Sequence, residues 1–184
     1  MEMFMTMDQA FLFWIQEHLV SPMLSPIMIM FSALGNAGII WILIGLAMLY
    51  SRKYRTAGIA VFLGLSFSLL IGNVLLKPLV MRLRPCLNYP WMPLLVACPP
   101  TNDFSFPSGH TFGSFAALAA MFNVLQGKEK WLFSGLAIII SFSRMYLFLH
   151  YPSDIFFGCL LGILFGKLAW YIAASLPVWE EKTC

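Results

Sequence analysis

The sequence predicts an all-α polytopic membrane helix bundle, and three observations carry that expectation. Hydrophobic residues make up 60% of the 184, where soluble domains reach about 45–50% even with glycine included. Charged residues make up only 10%, too few for a water-facing surface, which needs about 25% or more. The apolar residues also fall into runs close to the roughly 20 residues that cross a bilayer. Little chain is left over, so residues 1–184 read as a single integral membrane domain. The net charge of +3 is spread between apolar runs instead of forming a patch, which excludes a nucleic-acid footprint.

The first element mixes Phe11, Phe13, Trp14, Ile15, Leu19 and Val20 with Asp8, Gln16, Glu17 and His18. That pattern suits an interfacial helix lying along the membrane surface. It has neither a basic leader nor a small-residue cleavage site, so no cleaved signal peptide is indicated. Spans follow at 24–50, 58–76, 111–125, 131–149 and 153–174. The first would be about 40 Å long at 1.5 Å per residue, more than a hydrocarbon core of about 30 Å accommodates, so it must tilt or kink, with Gly35 and Gly38 as the weak points. Five transmembrane helices are the expected count, or six if the N-terminal run also crosses.

Basic residues orient the bundle. Arg52, Lys53 and Arg55 in one short connection, and Lys128 and Lys130 in another, are both expected in the cytoplasm. Two spans separate them, so the assignments agree, and Lys182 falls on the same side. The segment 77–110 and the turn at His150 then face the extracytoplasmic side. Lys77, Arg82, Arg84 and Arg144 thus stand against the usual charge bias, which calls for a local, anionic reason.

Three clusters supply one: Lys77 to Pro85, Phe106 to His110, and Ser143 to Asp154. With five spans all three lie at the same membrane level. Lys77, Arg84 and Arg144 can surround a tetrahedral oxyanion, the guanidinium forks making paired bonds and the ammonium acting as a compact charge. Ser108 and Gly109 stand immediately before a helix whose N-terminal N–H groups favour phosphate. Asp154 lies four residues after His150 and can hold one ring nitrogen, leaving the other to attack phosphorus. His110 is then placed to give a proton to the leaving oxygen. The expected chemistry is phosphoryl transfer through a phosphohistidine that water hydrolyses, with no metal and no cofactor required.

These residues resemble the signature of the type 2 phosphatidic acid phosphatase superfamily: Lys-x6-Arg-Pro at Lys77–Pro85, Pro-Ser-Gly-His at Pro107–His110, and Ser-Arg-x5-His-x3-Asp at Ser143–Asp154. Every signature residue and internal spacing is intact. The resemblance implies a helical membrane core, generally metal-independent, with phosphate contacts from Lys77, Arg84, Ser108, Gly109 and Arg144. It likewise implies acid catalysis by His110, nucleophilic attack by His150 and orientation of His150 by Asp154. The chain is shorter than six-span members and lacks an evident counterpart of their first span, leaving the N-terminal helix as a lid or anchor. Soluble vanadate-dependent haloperoxidases share the superfamily, but the membrane spans argue against that branch.

An oxyanion site at the bilayer surface suits a lipid phosphate or diphosphate. By analogy with small bacterial undecaprenyl-diphosphate phosphatases the first candidate is undecaprenyl diphosphate, then phosphatidylglycerophosphate and phosphatidic acid. The expected location is a bacterial plasma membrane, crossed several times, with the site outside. The partners are the lipid substrate and the bilayer, with no obligate protein partner. The competing reading is a phospholipid transporter or binding protein that holds phosphate without cleaving it, which leaves the histidine pair and its aspartate unexplained. Cys86 and Cys98 either close a disulfide loop, worth about 3 kcal/mol, or remain thiols. Cys159 reads as a small apolar residue in a span and Cys184 as a tail thiol.

Overall fold

A computed structural model describes residues 2–176, with side chains from residue 7 onward; Lys182 and Cys184 lie outside the described residues. These residues are helical, with no strand among them. Helix α1, Glu2–His18, precedes α2, Ser25–Leu34. A 3-10 turn at Asn36–Gly38 joins α2 to α3, Ile39–Tyr50. The break falls at the glycines the sequence marked as weak points: Gly38 has φ 70 and Ala37 φ 50, and the two halves meet at 51°. Gly38 accepts the left-handed backbone without strain.

Helix α4, Arg55–Phe67, continues as a π-helical stretch, Ser68–Leu76, and a final turn, α5, Lys77–Val80. Met81, at φ 49, ends it, and a short irregular segment leads into α6, Pro85–Asn88. Long π-helix is rare and tends to mark functional regions; here its wide turns deliver Lys77 to the site. Helix α7, Gly109–Met121, stands at the centre, followed by α8, Lys128–Tyr146, and α9, Pro152–Ser175.

Lipid tails are as apolar as leucine, so helices in a membrane associate through close packing more than through hydrophobic burial. The stripe Gly158, Gly162 and Gly166 on α9 supplies that packing against α7. A Cβ at Gly166 would come within 2.4 Å of the Ala116 carbonyl oxygen, and one at Gly162 within 2.6 Å of Phe115 Cβ. On the other flank α3 is tied to α7 by Trp41, whose Nε1 donates to Ser114 Oγ at 2.9 Å in the buried core. A second cluster, including Leu12, Ile15, Met28, Tyr146 and Phe148, packs α1 against the ends of α2 and α8.

The helices Arg55–Asn88 and Pro152–Ser175 are long and apolar enough to cross a bilayer, and the bent pair Ser25–Leu34 with Asn36–Tyr50 adds a third if it counts as one span. The five spans expected from hydropathy are therefore met in part. Helix α7 has only 13 residues, being enclosed by its neighbours, and α8 carries Lys128, Glu129, Lys130 and Arg144. The Cys86–Cys98 bond forms, with Cα atoms 5.9 Å apart, inside the range that disulfides tolerate. It closes a loop on the face that carries the site.

Gly166→Leu is expected to lower the thermal midpoint in detergent sharply or abolish folding, since overpacking costs about 1–3 kcal/mol even where neighbours can shift. Here the neighbour is backbone. Gly135→Ala, where an added Cβ meets nothing within 4 Å, should leave the midpoint unchanged or raise it slightly.

Candidate active site

The three sequence clusters converge on one cavity of about 910 Å³, whose lining includes Lys77, Arg84, Gly109, His110, Arg144 and His150. Each arrives by a local device. Lys77 opens the last turn of the α4–α5 helix. Arg84 stands in extended backbone just before α6, and Arg144 lies in the final turn of α8. His150 follows a reversal in which Phe148 takes φ 60 while the N–H groups of Leu149 and His150 donate to the Arg144 carbonyl at 3.0 and 3.3 Å. A phenylalanine in the left-handed region is strained. Its ring is held between Phe13, 5.8 Å away, and Tyr89, 6.1 Å away.

An anion already sits between two of the cations. Asp103, from the loop before α7, accepts from Lys77 Nζ at 2.5 Å and from Arg84 Nη2 at 3.0 Å. Its backbone carbonyl accepts from Arg84 Nε at 2.7 Å. Burial pushes the Asp103 carboxyl up, but the Lys77 and Arg84 charges outweigh it and hold the group below its ordinary value. A carboxylate bound in this way shows that Lys77 and Arg84 are arranged to hold the oxygens of an anion. The third cation, Arg144, gives one N–H to Ser32 Oγ of α2, and its buried Nε finds no acceptor among the described residues.

The His150 ring is oriented by two nitrogens with opposite roles. Arg84 Nη1 lies 2.9 Å from His150 Nε2 and can only donate, so Nε2 must carry the lone pair and Nδ1 the proton. The direct Asp154 contact expected from the sequence is long, 3.6 Å from Nδ1 to Oδ2, beyond a hydrogen bond. Ser105 fills the gap. Its Oγ lies 3.3 Å from His150 Nδ1 and donates to Asp154 Oδ2 at 2.5 Å. Asp154 in turn accepts from the Tyr151 N–H at 2.8 Å, capping α9 from its first turn. Burial, then the Arg84 and Arg144 charges, push the His150 imidazole well below its ordinary value, which favours the neutral ring.

His110 Nε2 lies 3.0 Å from Asn36 Oδ1, in the break of the α2–α3 pair. Gly35 permits that approach, because a Cβ there would be 2.6 Å from the His110 ring. Ser108 is buried and its Oγ caps α7, accepting from Thr111 N at 3.4 Å and Thr111 Oγ1 at 3.1 Å. Its hydroxyl therefore stands behind the cavity, while Gly109 and the open N-terminus of α7 face it. The same lining includes the apolar side chains of Trp41, Ile42, Phe62, Leu65 and Leu69. Among the described residues no three His, Cys, Asp or Glu side chains are grouped to hold a metal ion.

Four contributors were not singled out from the sequence: Asp103, Ser105, Asn36 and Ser32. Asn36, a polar residue between glycines in an apolar run, was the most visible of them, since polar groups in spans tend to be functional. Asp103 and Ser105 stand within seven residues of His110, but nothing in that spacing says which way they face.

The sequence profile of the PAP2 superfamily matches residues 55–176. The chain belongs to the PAP2 superfamily. Its sequence is 28% identical over 158 residues to an undecaprenyl-diphosphatase of Sulfolobus acidocaldarius, covering 84% of this chain and 73% of that one. It is 34% identical over 128 residues to a lipid A 4'-phosphatase of Bacteroides thetaiotaomicron, covering 64% of this chain and 54%, about half, of the relative. In fold it resembles a transmembrane PAP2 type phosphatidylglycerolphosphate phosphatase from Bacillus subtilis, with a TM-score of 0.76 over 97% of this chain and 90% of that one, at 22% identity. As a PAP2 phosphatase it is a membrane enzyme, and the signature that pointed there from the sequence lies inside the matched region.

Two outcomes are expected. Asp103→Asn should strengthen inhibition by vanadate several-fold, because a neutral amide competes poorly for Lys77 and Arg84; weaker inhibition would mean that Asp103 builds the anion site instead of occupying it. The lowered pKa of His150 keeps the proton off as pH falls through the ordinary histidine range near 6.5. The 15N shifts of its ring, without ligand at pH 5.5, should accordingly report the neutral Nδ1–H tautomer, and a doubly protonated ring would contradict the assignment.

Proposed function

We propose that this PAP2 enzyme hydrolyses a lipid phosphate or diphosphate at the extracytoplasmic membrane face through a phosphohistidine on His150, with undecaprenyl diphosphate as its substrate. The observation that carries this reading is the single cavity in which three cations and two histidines meet beside apolar side chains. The phosphoryl group takes the place of the Asp103 carboxylate between Lys77 and Arg84 and engages the unpartnered Arg144 Nε. Arg84 thereby releases His150 Nε2, which attacks phosphorus in line with the leaving oxygen. The positive charge that develops on the imidazole is stabilised through Nδ1 by Ser105 and Asp154. His110, whose imidazolium form a dianionic phosphoryl group favours, protonates the leaving oxygen. It then takes a proton from the water that cleaves the P–N bond, regenerating His150 and releasing phosphate. The cations stabilise charge on the transferring oxygens throughout.

The apolar wall supports a lipid tail leaving the site between α3 and the π-helical stretch. We read five spans, with α7 crossing inside the shelter of its neighbours, α8 crossing with one face outward and α1 lying at the interface. The basic connections at Arg52–Arg55 and Lys128–Lys130 support a cytoplasmic position for the opposite end, and the Cys86–Cys98 bond supports an oxidising compartment for the site. The preference for undecaprenyl diphosphate draws on the similarity to an undecaprenyl-diphosphatase over most of this chain.

The test is phosphate release in detergent with EDTA from undecaprenyl diphosphate, phosphatidylglycerophosphate and phosphatidic acid, each with the His150→Ala control. Turnover of the first should be fastest and fall by about 10⁴-fold or more in the variant, on the scale of losing a catalytic nucleophile. Rapid quench should trap phosphate on the wild type only. Preference for a glycerolipid would move the enzyme to phospholipid metabolism, and binding without cleavage of all three would favour the transporter or binding-protein reading.

A further inference from the structure

The signature leaves the six residues between Lys77 and Arg84 unspecified, yet one of them is an arginine whose position the fold fixes tightly. Past Met81 the chain has no regular structure until α6, Arg84 alone being established as extended, and Arg82 and Arg84 bond in different directions. Arg84 reaches His150 Nε2 in the cavity. Arg82 is absent from the cavity lining and reaches the far side of Asp154 instead. Its Nη1 donates to Asp154 Oδ1 at 2.7 Å and to Ser153 Oγ at 2.7 Å, and its guanidinium lies 4.1 Å from the centre of the Tyr151 ring.

The other prong of the fork belongs to α1. Arg82 Nη2 donates to Asp8 Oδ2 at 2.7 Å. Asp8 is buried and also accepts from the Ser153 backbone N–H at 2.9 Å and from Ser153 Oγ. Farther along the same helix, Gln16 Nε2 donates to the carbonyls of Met145 and Tyr146, at 3.3 and 3.1 Å, just ahead of the His150 turn. The N-terminal helix is thereby hydrogen-bonded to both ends of the turn that carries the nucleophile.

We propose that Arg82, braced by Asp8 of α1, is a positioning residue for phosphoryl transfer. It holds the Asp154 carboxylate so that Ser105 and His150 line up behind the attacking nitrogen. This rests on the phosphohistidine reading above. Asp154 is fully buried, and an isolated carboxylate there would be strongly disfavoured. Arg82 is the Lys or Arg partner of Asp154 among the described ion pairs, so removing it lets the carboxylate protonate or turn away. Because Arg82 touches no part of the anion site, its loss should affect the reaction and not the binding of phosphate.

The fold also suggests how to test this apart from stability. A second pocket of about 230 Å³ lies against Arg82, lined by Gln9, Leu83, Asn88 and Tyr151, so a small cation can reach the space an alanine would leave. In purified full-length enzyme, Arg82→Ala should lower kcat about 10–100-fold, the usual range for a residue supporting an active-site group, with KM and vanadate inhibition within about threefold. Millimolar guanidinium should restore a substantial part of kcat in Arg82→Ala and none in His150→Ala. Asp8→Asn, which keeps the shape of α1, should lower kcat less, and combining it with Arg82→Ala should add little, because both act on one network. If Arg82→Ala fails to fold, Arg82→Lys and Asp8→Asn carry the same kcat-against-KM comparison. An unchanged kcat, a parallel loss of vanadate affinity, or no rescue by guanidinium would overturn the inference while His150→Ala stays inactive. Turnover that survives His150→Ala would remove the nucleophile itself, and with it this inference.

Discussion

Positive charges gathered at one level of a membrane protein repel each other, and this fold depends on the carboxylates that hold them together. Lys77 and Arg84 are bridged by Asp103, and Arg82 is held between Asp8 and Asp154. Each carboxylate comes from a different part of the chain. Asp8 brings in α1, Asp103 the loop before α7, and Asp154 the start of α9. The ion pairs are therefore also the joints at which separate helices are registered. A buried pair contributes little net stability compared with an apolar contact, while a broken one is costly, so the arrangement favours a single geometry over a merely stable one.

The rest of the bundle serves that geometry by bringing backbone close to backbone. The glycine stripe on α9 sets it against α7 with almost no intervening side chain. The N-terminus of α7 and the first turn of α9 consequently lie side by side, where Ser108 N–H donates to the Asp154 carbonyl at 3.2 Å. His110 and Asp154 are carried on those two ends. Packing far from the cavity thus sets the separation of His110 from Asp154.

The fold class and the eight candidate site residues were legible because they rest on local signals. Apolar run length marks membrane helices, and fixed spacings such as His150 to Asp154 place two side chains on one turn. Of those eight, the six other than Ser108 and Asp154 line the cavity, and those two stand immediately behind it. What was not legible depends on contacts between distant parts of the chain. Ser105 intervenes between His150 and Asp154 only because a loop 45 residues earlier folds over the ring. Asn36 reaches His110 only because α2 and α3 meet at an angle. Hydropathy reads α7 as a span from composition alone, without seeing that neighbouring helices enclose it, whereas α8 keeps an outward face with Trp131, Leu132 and Ile138 exposed. Arg82 was visible as a cation on the wrong side of the membrane, but its direction could come only from the turn at Met81.

Asp103 is attached twice, and the two attachments differ in kind. Its backbone carbonyl bonds Arg84 Nε, while its carboxylate holds Lys77 and Arg84 Nη2 through rotatable bonds. The main chain can remain docked while the side chain swings aside. Anion exchange then needs a rotamer change of one half-buried side chain and no movement of the main chain.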